Sequence, residues 1–225
     1  MIIGYDREDW KKFQIKNPVE IVLPKQTNHI LVSGKSGSGK SMSLLWYIWQ
    51  LLHKQESLVY IVDYKGGEEF PFEGLSSYAY GEQAFDMINN YHQFFTDVRS
   101  NRIRLSNHYT LVVEEYFGLL TYAENQSKKL KTELMAKIGE ILAVGRGLNI
   151  GIILCTQRAD SSLFLSGTRE QFQCILNFAR CSSEAFRMLG FSGELESNPT
   201  SRYGAGEALA LIDGQESIKE IKVPF

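Results

Sequence analysis

Gly34-Lys35-Ser36-Gly37-Ser38-Gly39-Lys40-Ser41 is the stretch that decides the fold. It satisfies G-x-x-x-x-G-K-[ST], the phosphate-binding loop of nucleoside triphosphatases. The flanks agree. His29-Ile30-Leu31-Val32-Ser33 reads as a short buried strand entering the loop, and Ser41 to Trp49 as a mostly apolar helix leaving it. Gly34, Gly37 and Gly39 let consecutive N–H groups turn toward a β-phosphate without a Cβ clash, with Ser36 and Ser38 completing the cradle. The helix N-terminus adds partial positive charge. Lys40 is placed for the β- and γ-phosphates, and the Ser41 hydroxyl for Mg²⁺. An ordinary Gly/Ser turn would leave the lysine, the serine and both flanks without a reason.

Working outward, apolar runs alternate with helical spacing. Residues 20–24 read as a short strand ended by a proline, and 57–62 and 109–113 as buried strands. Residues 82–99 and 131–144 have apolar residues on one helical face, and 149–156 is a further central strand. Residues 168–177 and 183–189 read as short helices, and 208–211 with 218–223 as a terminal hairpin. Residues 1–18 are polar with scattered aromatics and read as a lead-in arm to one domain, 19–225. The pattern predicts an α/β fold, a mostly parallel sheet with helices on both faces. Ligands then gather where the strands end.

Other chemistry belongs to that rim. The 109–113 strand ends in Glu114-Glu115. At this place an acid holds the water shell of Mg²⁺, and a second orients the attacking water. Glu114 takes the first role and Glu115 the second. Gln157, at the end of the next central strand, both donates and accepts, which suits a γ-phosphate sensor. Asp63 and Lys65 close another strand and are candidates for cofactor binding, an exposed charge pair being the alternative. Arg146 lies between two glycines, suited to reach a neighbour's phosphate or simply to end a turn. Two basic clusters, Lys128, Lys129 and Lys131, and Arg99, Arg102 and Arg104, are candidate nucleic-acid contacts or solvated helix ends.

Bulk properties set bounds. The chain has 225 residues, and its net charge of −2 excludes a globally basic nucleic-acid binder. The three cysteines show no metal-ligand spacing and read as reduced core residues of a cytoplasmic protein. No apolar run approaches the roughly 20 residues that cross a bilayer, so work at a membrane would need a recruiting partner.

The order of motifs resembles the motor domain of the FtsK/HerA superfamily of DNA-pumping ATPases, within it the FtsK/SpoIIIE branch. The phosphate loop, Val62-Asp-Tyr-Lys-Gly-Gly67, Val112-Val-Glu-Glu115 and Val144 to Arg158 carry the match, and Phe178-Ala-Arg-Cys-Ser-Ser183 extends it more weakly. The resemblance implies a RecA-like core and a homo-oligomeric ring, usually hexameric, with ATP and Mg²⁺ between subunits and double-stranded DNA in the pore. It implies Glu115 as catalytic, Gln157 as sensor, Arg146 as a finger acting in trans, and the 128–131 lysines as pore-facing. Glu114 departs from the family's usual aspartate. The membrane segment and sequence-reading domain of FtsK-type proteins are expected to be missing, which suits a factor of conjugation, a phage or chromosome transfer, helped by a membrane-anchored or DNA-processing partner. The alternative is a secretion-type ATPase handling a protein, since such ATPases share D-x-K-G-G. A kinase would need an acceptor lid, and a GTPase the N-K-x-D motif; neither is found. Leu165-Ser166-Gly167 matches an ABC-transporter signature only by coincidence, being on the wrong side of the acidic strand.

Overall fold

Strands and helices alternate along the chain. They are β1 (Ile2–Asp6), α1 (Arg7–Phe13), β2 (Pro18–Glu20), β3 (His29–Gly34), α2 (Lys40–His53), β4 (Leu58–Asp63), β5 (Tyr78–Tyr80), α3 (Gln83–Ser100), β6 (Tyr109–Glu114), α4 (Tyr116–Gln126), α5 (Lys128–Val144), β7 (Ile150–Thr156), β8 (Cys174–Phe178), α6 (Ser183–Met188), β9 (Glu207–Ile212) and β10 (Lys219–Lys222). The structure, a computed structural model, describes all residues except 56, 67–69, 159, 166, 216, 217 and 225, and not the side chain of 161. Gly67 of the D-x-K-G-G motif and Ser166 therefore lie outside the described residues.

The strands form one sheet in the order β2-β1-β10-β9-β8-β3-β7-β6-β4-β5. From β5 to β8 every pairing is parallel, and from β8 to β2 every pairing is antiparallel. The expected α/β sheet is present, and so is the terminal hairpin, as β9 and β10. The central strands are buried along their whole length, as parallel strands covered on both faces must be. Side chains alternate between two cores. Leu31, Leu111, Val113, Ile152 and Leu154 face the core under α3, α4 and α5. Ile30, Val32, Val112, Ile153 and Cys155 face the core under α2. Each such side chain contributes about 1.5–3 kcal/mol by leaving water. Among the described residues no helix is long and apolar enough to cross a membrane.

Three segments differ from the sequence reading. Residues 1–18, read as an arm, hold β1 and α1. Ile3 is fully buried, and β1 pairs with β10, so these residues extend the sheet. Polar composition hid this, because β1 buries only Ile3 and Gly4 and α1 buries no residue. The strand expected at 20–24 is Pro18–Glu20 instead. Residues 168–177, read as a helix, hold a single 3₁₀ turn at Thr168–Gln171 and then β8. A five-residue apolar run has too few turns for its period to show, and long-range pairing with β3 and β9 decides it.

Two buried histidines sit at the strands' amino ends. His29 Nδ1 accepts from Ile152 N at 3.2 Å. His108 Nδ1 meets Ser57 Oγ at 3.3 Å and Thr110 Oγ1 at 3.2 Å. Gly151 makes room for them: a Cβ there would lie 2.4 Å from the Asn28 carbonyl and 3.0 Å from His108 Nε2. Neither Nε2 has a hydrogen-bond partner among the described residues. Burial pushes His29 down to about 3, with help from His108 and Arg146, and pushes His108 down to about 4. The folded protein thus holds both neutral where the unfolded chain protonates near 6.5. Their contribution is complete above that value and shrinks as pH falls below it. The unfolding free energy from urea titration should drop between pH 6.5 and 5, above the carboxylate range, with a slope of about 1–3 kcal/mol per pH unit for one to two protons, and the midpoint with it. His108→Gln should flatten the slope, and a midpoint constant over that window would refute the assignment.

Candidate functional site

The phosphate loop joins the end of β3 to the start of α2. Gly34, Gly37 and Gly39 have φ of 150°, 73° and 91°, which only glycine adopts without strain. Gly34 also needs its missing Cβ, which would fall 2.7 Å from the Phe178 carbonyl. Ser38 N donates to Lys35 O at 3.2 Å, and Gly206 N to Ser38 O at 2.9 Å, so the loop is closed on itself and tied to the end of β8's neighbour. No side chain caps α2 and no acid stands in its first turn. Its first N–H groups thus face the loop's concavity, where an anion would satisfy them. Ser38 Oγ is buried with no partner among the described residues. Lys40 is buried and donates from Nζ to its own loop's Lys35 O at 3.1 Å.

Glu114 and Glu115 end β6. Because β7 lies between β3 and β6, the loop strand and the acid strand stand about 10 Å apart. The first turn of α2 spans the gap, and Ser41 Oγ donates to Glu114 Oε1 at 2.9 Å. Glu114 is only 4% exposed. Burial raises its pKa, against the lowering pull of Cys155, Ser41 and Lys40. The neighbouring Cys155 thiol is a weak donor, and Glu114 Oε2 finds no hydrogen bond of ordinary geometry among the described residues. An orphaned buried carboxylate oxygen beside a serine hydroxyl suits a hydrated divalent cation. The longer glutamate in place of aspartate is accommodated, since its carboxylate already meets Ser41.

Glu115 takes a left-handed backbone, φ 56° and ψ 46°, at the start of α4. For a residue with a Cβ this costs about 1–2 kcal/mol. The kink turns the carboxylate toward β7, where Gln157 Nε2 donates to Glu115 Oε2 at 2.9 Å. Lys40, Ser41, Glu114, Glu115 and Gln157, chosen from sequence, therefore meet on one rim.

The other chosen residues do not join them. Asp63 lies opposite Glu114 in the β4–β6 register, yet β4 is three strands from β3. Its carboxylate is engaged by Tyr78 OH and by Lys65 N, each at 3.1 Å. Burial and Asp63 push Tyr78 up to about 12. Asp63 thus braces the rim, and Lys65 is in the exposed turn that follows. Arg146 precedes β7, at the amino ends of the strands, a full strand length of about 20 Å from the loop. Arg99, in the last turn of α3, and Arg102, just past its end, lie on that same far edge, beside Gly147, Leu148 and Asn149. Lys128, Lys129 and Lys131 open α5, which returns from the near edge to the start of β7. Lys129 pairs with Glu133 at 3.7 Å and Lys131 with Glu124 at 2.7 Å.

A cavity of about 430 Å³ opens beside the loop, with Lys35, Gln157, Arg158, Asp160 and Arg180 in its wall. Arg180 also faces an adjoining 340 Å³ pocket. It follows Ala179, whose φ of 55° turns the chain out of β8 toward the loop. Arg180 was visible in sequence only as part of a weak motif. Its place depends on β8 being a strand next to β3.

With this geometry in view, solved structures can be compared. No protein-family model and no curated protein matches the chain. Solved structures do. The pCW3 conjugation coupling protein TcpA, in its monomer form with ATPγS, superposes with a TM-score of 0.69 at 19% identity, covering 92% of this chain and 62% of that one. The cytoplasmic domain of the Thermomonospora curvata type VII secretion ATPase EccC gives 0.72 at 19% identity, covering 100% of this chain and 28% of that one. The genome-packaging NTPase B204 of Sulfolobus turreted icosahedral virus 2, in complex with ATPγS, gives 0.62 at 15% identity, covering 91% and 100%. The fold is that of these P-loop ATPase domains. The chain spans less than two thirds of the coupling protein and of the secretion ATPase.

Two substitutions check the site. Lys40→Ala should abolish binding of a fluorescent ATP analogue without lowering the melting temperature. Arg180→Ala should weaken that binding about tenfold, the loss of one charge-assisted hydrogen bond. Unchanged affinity in both folded variants would remove the site from this cavity.

Proposed function

We propose that this chain is an ATP-hydrolysing motor of the FtsK/HerA type that works as a ring and translocates double-stranded DNA. The observation that carries the reading is the single rim on which Lys40, Ser41, Glu114, Glu115 and Gln157 converge. Lys40 neutralises charge on the β- and γ-phosphates once the loop carbonyl yields its hydrogen bond. Glu115 accepts a proton from the attacking water, which adds to the γ-phosphorus as the bond to the β-phosphate oxygen breaks. Gln157 links Glu115 to the state of the γ-phosphate. Ser41 and Glu114 would hold Mg²⁺, which neutralises charge on the phosphates when bound. Arg146, about 20 Å from the phosphate loop of its own chain, is assigned the role of a finger acting in trans. The coupling protein and the packaging NTPase support DNA as the substrate.

A second reading, a motor for protein, is favoured by the secretion ATPases among the neighbours, one of them in complex with a signal sequence peptide. Duplex DNA separates the two. On the DNA reading, ATP hydrolysis should rise on adding duplex at low salt, and the rise should fade with salt as counterion release weakens. Lys128, Lys129 and Lys131 replaced together by alanine should lose the stimulation. ATPase indifferent to DNA at low salt would favour the protein substrate.

Glu115→Gln should retain nucleotide while turnover falls by about 10²-fold or more. An active Glu115→Gln with a crippled Glu114→Gln would mean that the two roles are exchanged. Arg146→Ala should bind ATP normally and hydrolyse it slowly, a finger being worth about 10³–10⁵ in rate. Mixed with Lys40→Ala, it should regain part of the activity, because each subunit supplies what the other lacks.

A further inference from the structure

The phosphate loop is held from outside by the turn that leads into β9. Ser38 O accepts from Gly206 N at 2.9 Å. The peptide unit that supplies this N–H has its own carbonyl, Ala205 O, held by Lys222 Nζ at 2.7 Å. The next carbonyl, Gly206 O, accepts from Val223 N at 2.8 Å. Glu207 closes the turn: its N–H donates to Gly204 O at 3.2 Å, and its Oε2 accepts from Gly204 N at 3.1 Å. The Glu207 side chain is only 3% exposed, and α1 reaches it with Arg7 Nε at 3.1 Å and Lys11 Nζ at 2.6 Å. Burial would raise the pKa of this carboxylate, but Lys11, the Gly204 N–H and Arg7 outweigh burial and hold it below its ordinary value. Lys222 of β10 lies directly opposite Glu207 of β9 in the register. These buried and bonded charges stand apart from the rim of Lys40, Ser41, Glu114, Glu115 and Gln157, and the chemistry proposed there does not use them.

We propose that the 204–207 turn aims the phosphate loop, with Lys222 and Glu207 as positioning residues for nucleotide binding. The inference rests on the reading of the loop as an ATP site and deepens it. The Ser38-Gly39 peptide is trans, and in a planar trans peptide the C=O and the N–H point in opposite directions. Fixing Ser38 O on Gly206 therefore fixes the direction of the Gly39 N–H, away from the turn and into the loop's concavity. The glycines on either side of Ser38, Gly37 and Gly39, offer little resistance to rotation. Without the outside anchor the Ser38-Gly39 peptide is free to flip, and the Gly39 N–H is lost to the phosphate. A donor already fixed in the bound orientation binds more tightly than one that must be ordered first. Lys222 strengthens the anchor, because a cation on Ala205 O polarises the Gly206 N–H of the same peptide. Glu207 keeps the turn closed at the place where Gly206 meets Ser38. Residues 1–18 thus act on the site at a distance: Arg7 and Lys11 hold Glu207, Glu207 holds the turn, and the turn holds Ser38.

Titration of the full chain with ATPγS and with ADP tests this in Lys222→Met, which keeps the aliphatic stem and removes the ammonium. Affinity for both nucleotides should fall by about three- to tenfold, the scale of one hydrogen bond. Both should fall alike, because the β-phosphate is common to them. Lys222→Arg should restore the affinity. In steady-state hydrolysis the KM for ATP should rise with kcat unchanged, the mark of lost uniform binding. Glu207→Gln should act in the same direction. Should Lys222→Met fail to fold, Lys11→Met, at a side chain 47% exposed, carries the same expectation. A folded Lys222→Met chain with a lower melting temperature but wild-type nucleotide affinity would make the network merely structural and overturn the proposal. A loss confined to kcat, or to ATPγS and not ADP, would also overturn it. A wild-type chain that binds neither nucleotide would instead overturn the ATP-site reading on which the proposal stands.

Discussion

Parallel pairing from β5 to β8 gives this molecule its polarity, and the chemistry depends on that polarity. A strand's carboxyl end exposes a chain turning into a helix, whose N–H groups point back at the rim. When six strands share one direction, the rim collects a helix N-terminus from β3, two acids from β6 and an amide from β7. Local preference does not hold those pairings. Burial on two faces does, with Leu31, Leu111 and Ile152 under one layer of helices and Ile30, Val112 and Ile153 under α2.

Strain is placed where this geometry needs it. Glu115 occupies a backbone region that favours glycine, and the cost is offset by the surrounding fold. The result is a carboxylate aimed across β7 at Gln157 rather than out along its own strand. Glu114, one residue earlier, stays in the regular strand and is buried against Ser41 and Cys155. Two adjacent carboxylates thus receive different surroundings from one backbone kink. One is desolvated beside a serine hydroxyl; the other is half-buried and hydrogen-bonded to an amide. Such a division of environments allows one residue pair to carry two different roles.

The same polarity separates the basic residues. Sequence alone could treat the lysines at 128–131 and the arginines at 99–104 as equivalent patches. In the fold they lie at opposite ends of the strands, and Arg146 joins the arginines. The lysines are partly engaged by Glu124 and Glu133. The arginines have no ion-pair partner among the described residues.

The sequence by itself determined the phosphate loop, because its spacing has a local cause: glycines for positive φ, a lysine and a serine at a helix start. It also determined the acidic strand end, the strand that leads to Gln157 and the terminal hairpin, since each is a contiguous run with a clear period. Only tertiary structure decided the rest. β8 became a strand through pairing with β3 and β9, and that put Arg180 into the cavity wall. β1 joined the sheet because β10 offered it an edge. Asp63, though next to Glu114 in register, was turned to Tyr78 by a strand, β5, too short to be read from three residues. Which edge each residue occupies follows from strand order, and strand order is set by contacts between residues far apart in the chain, which no local pattern records.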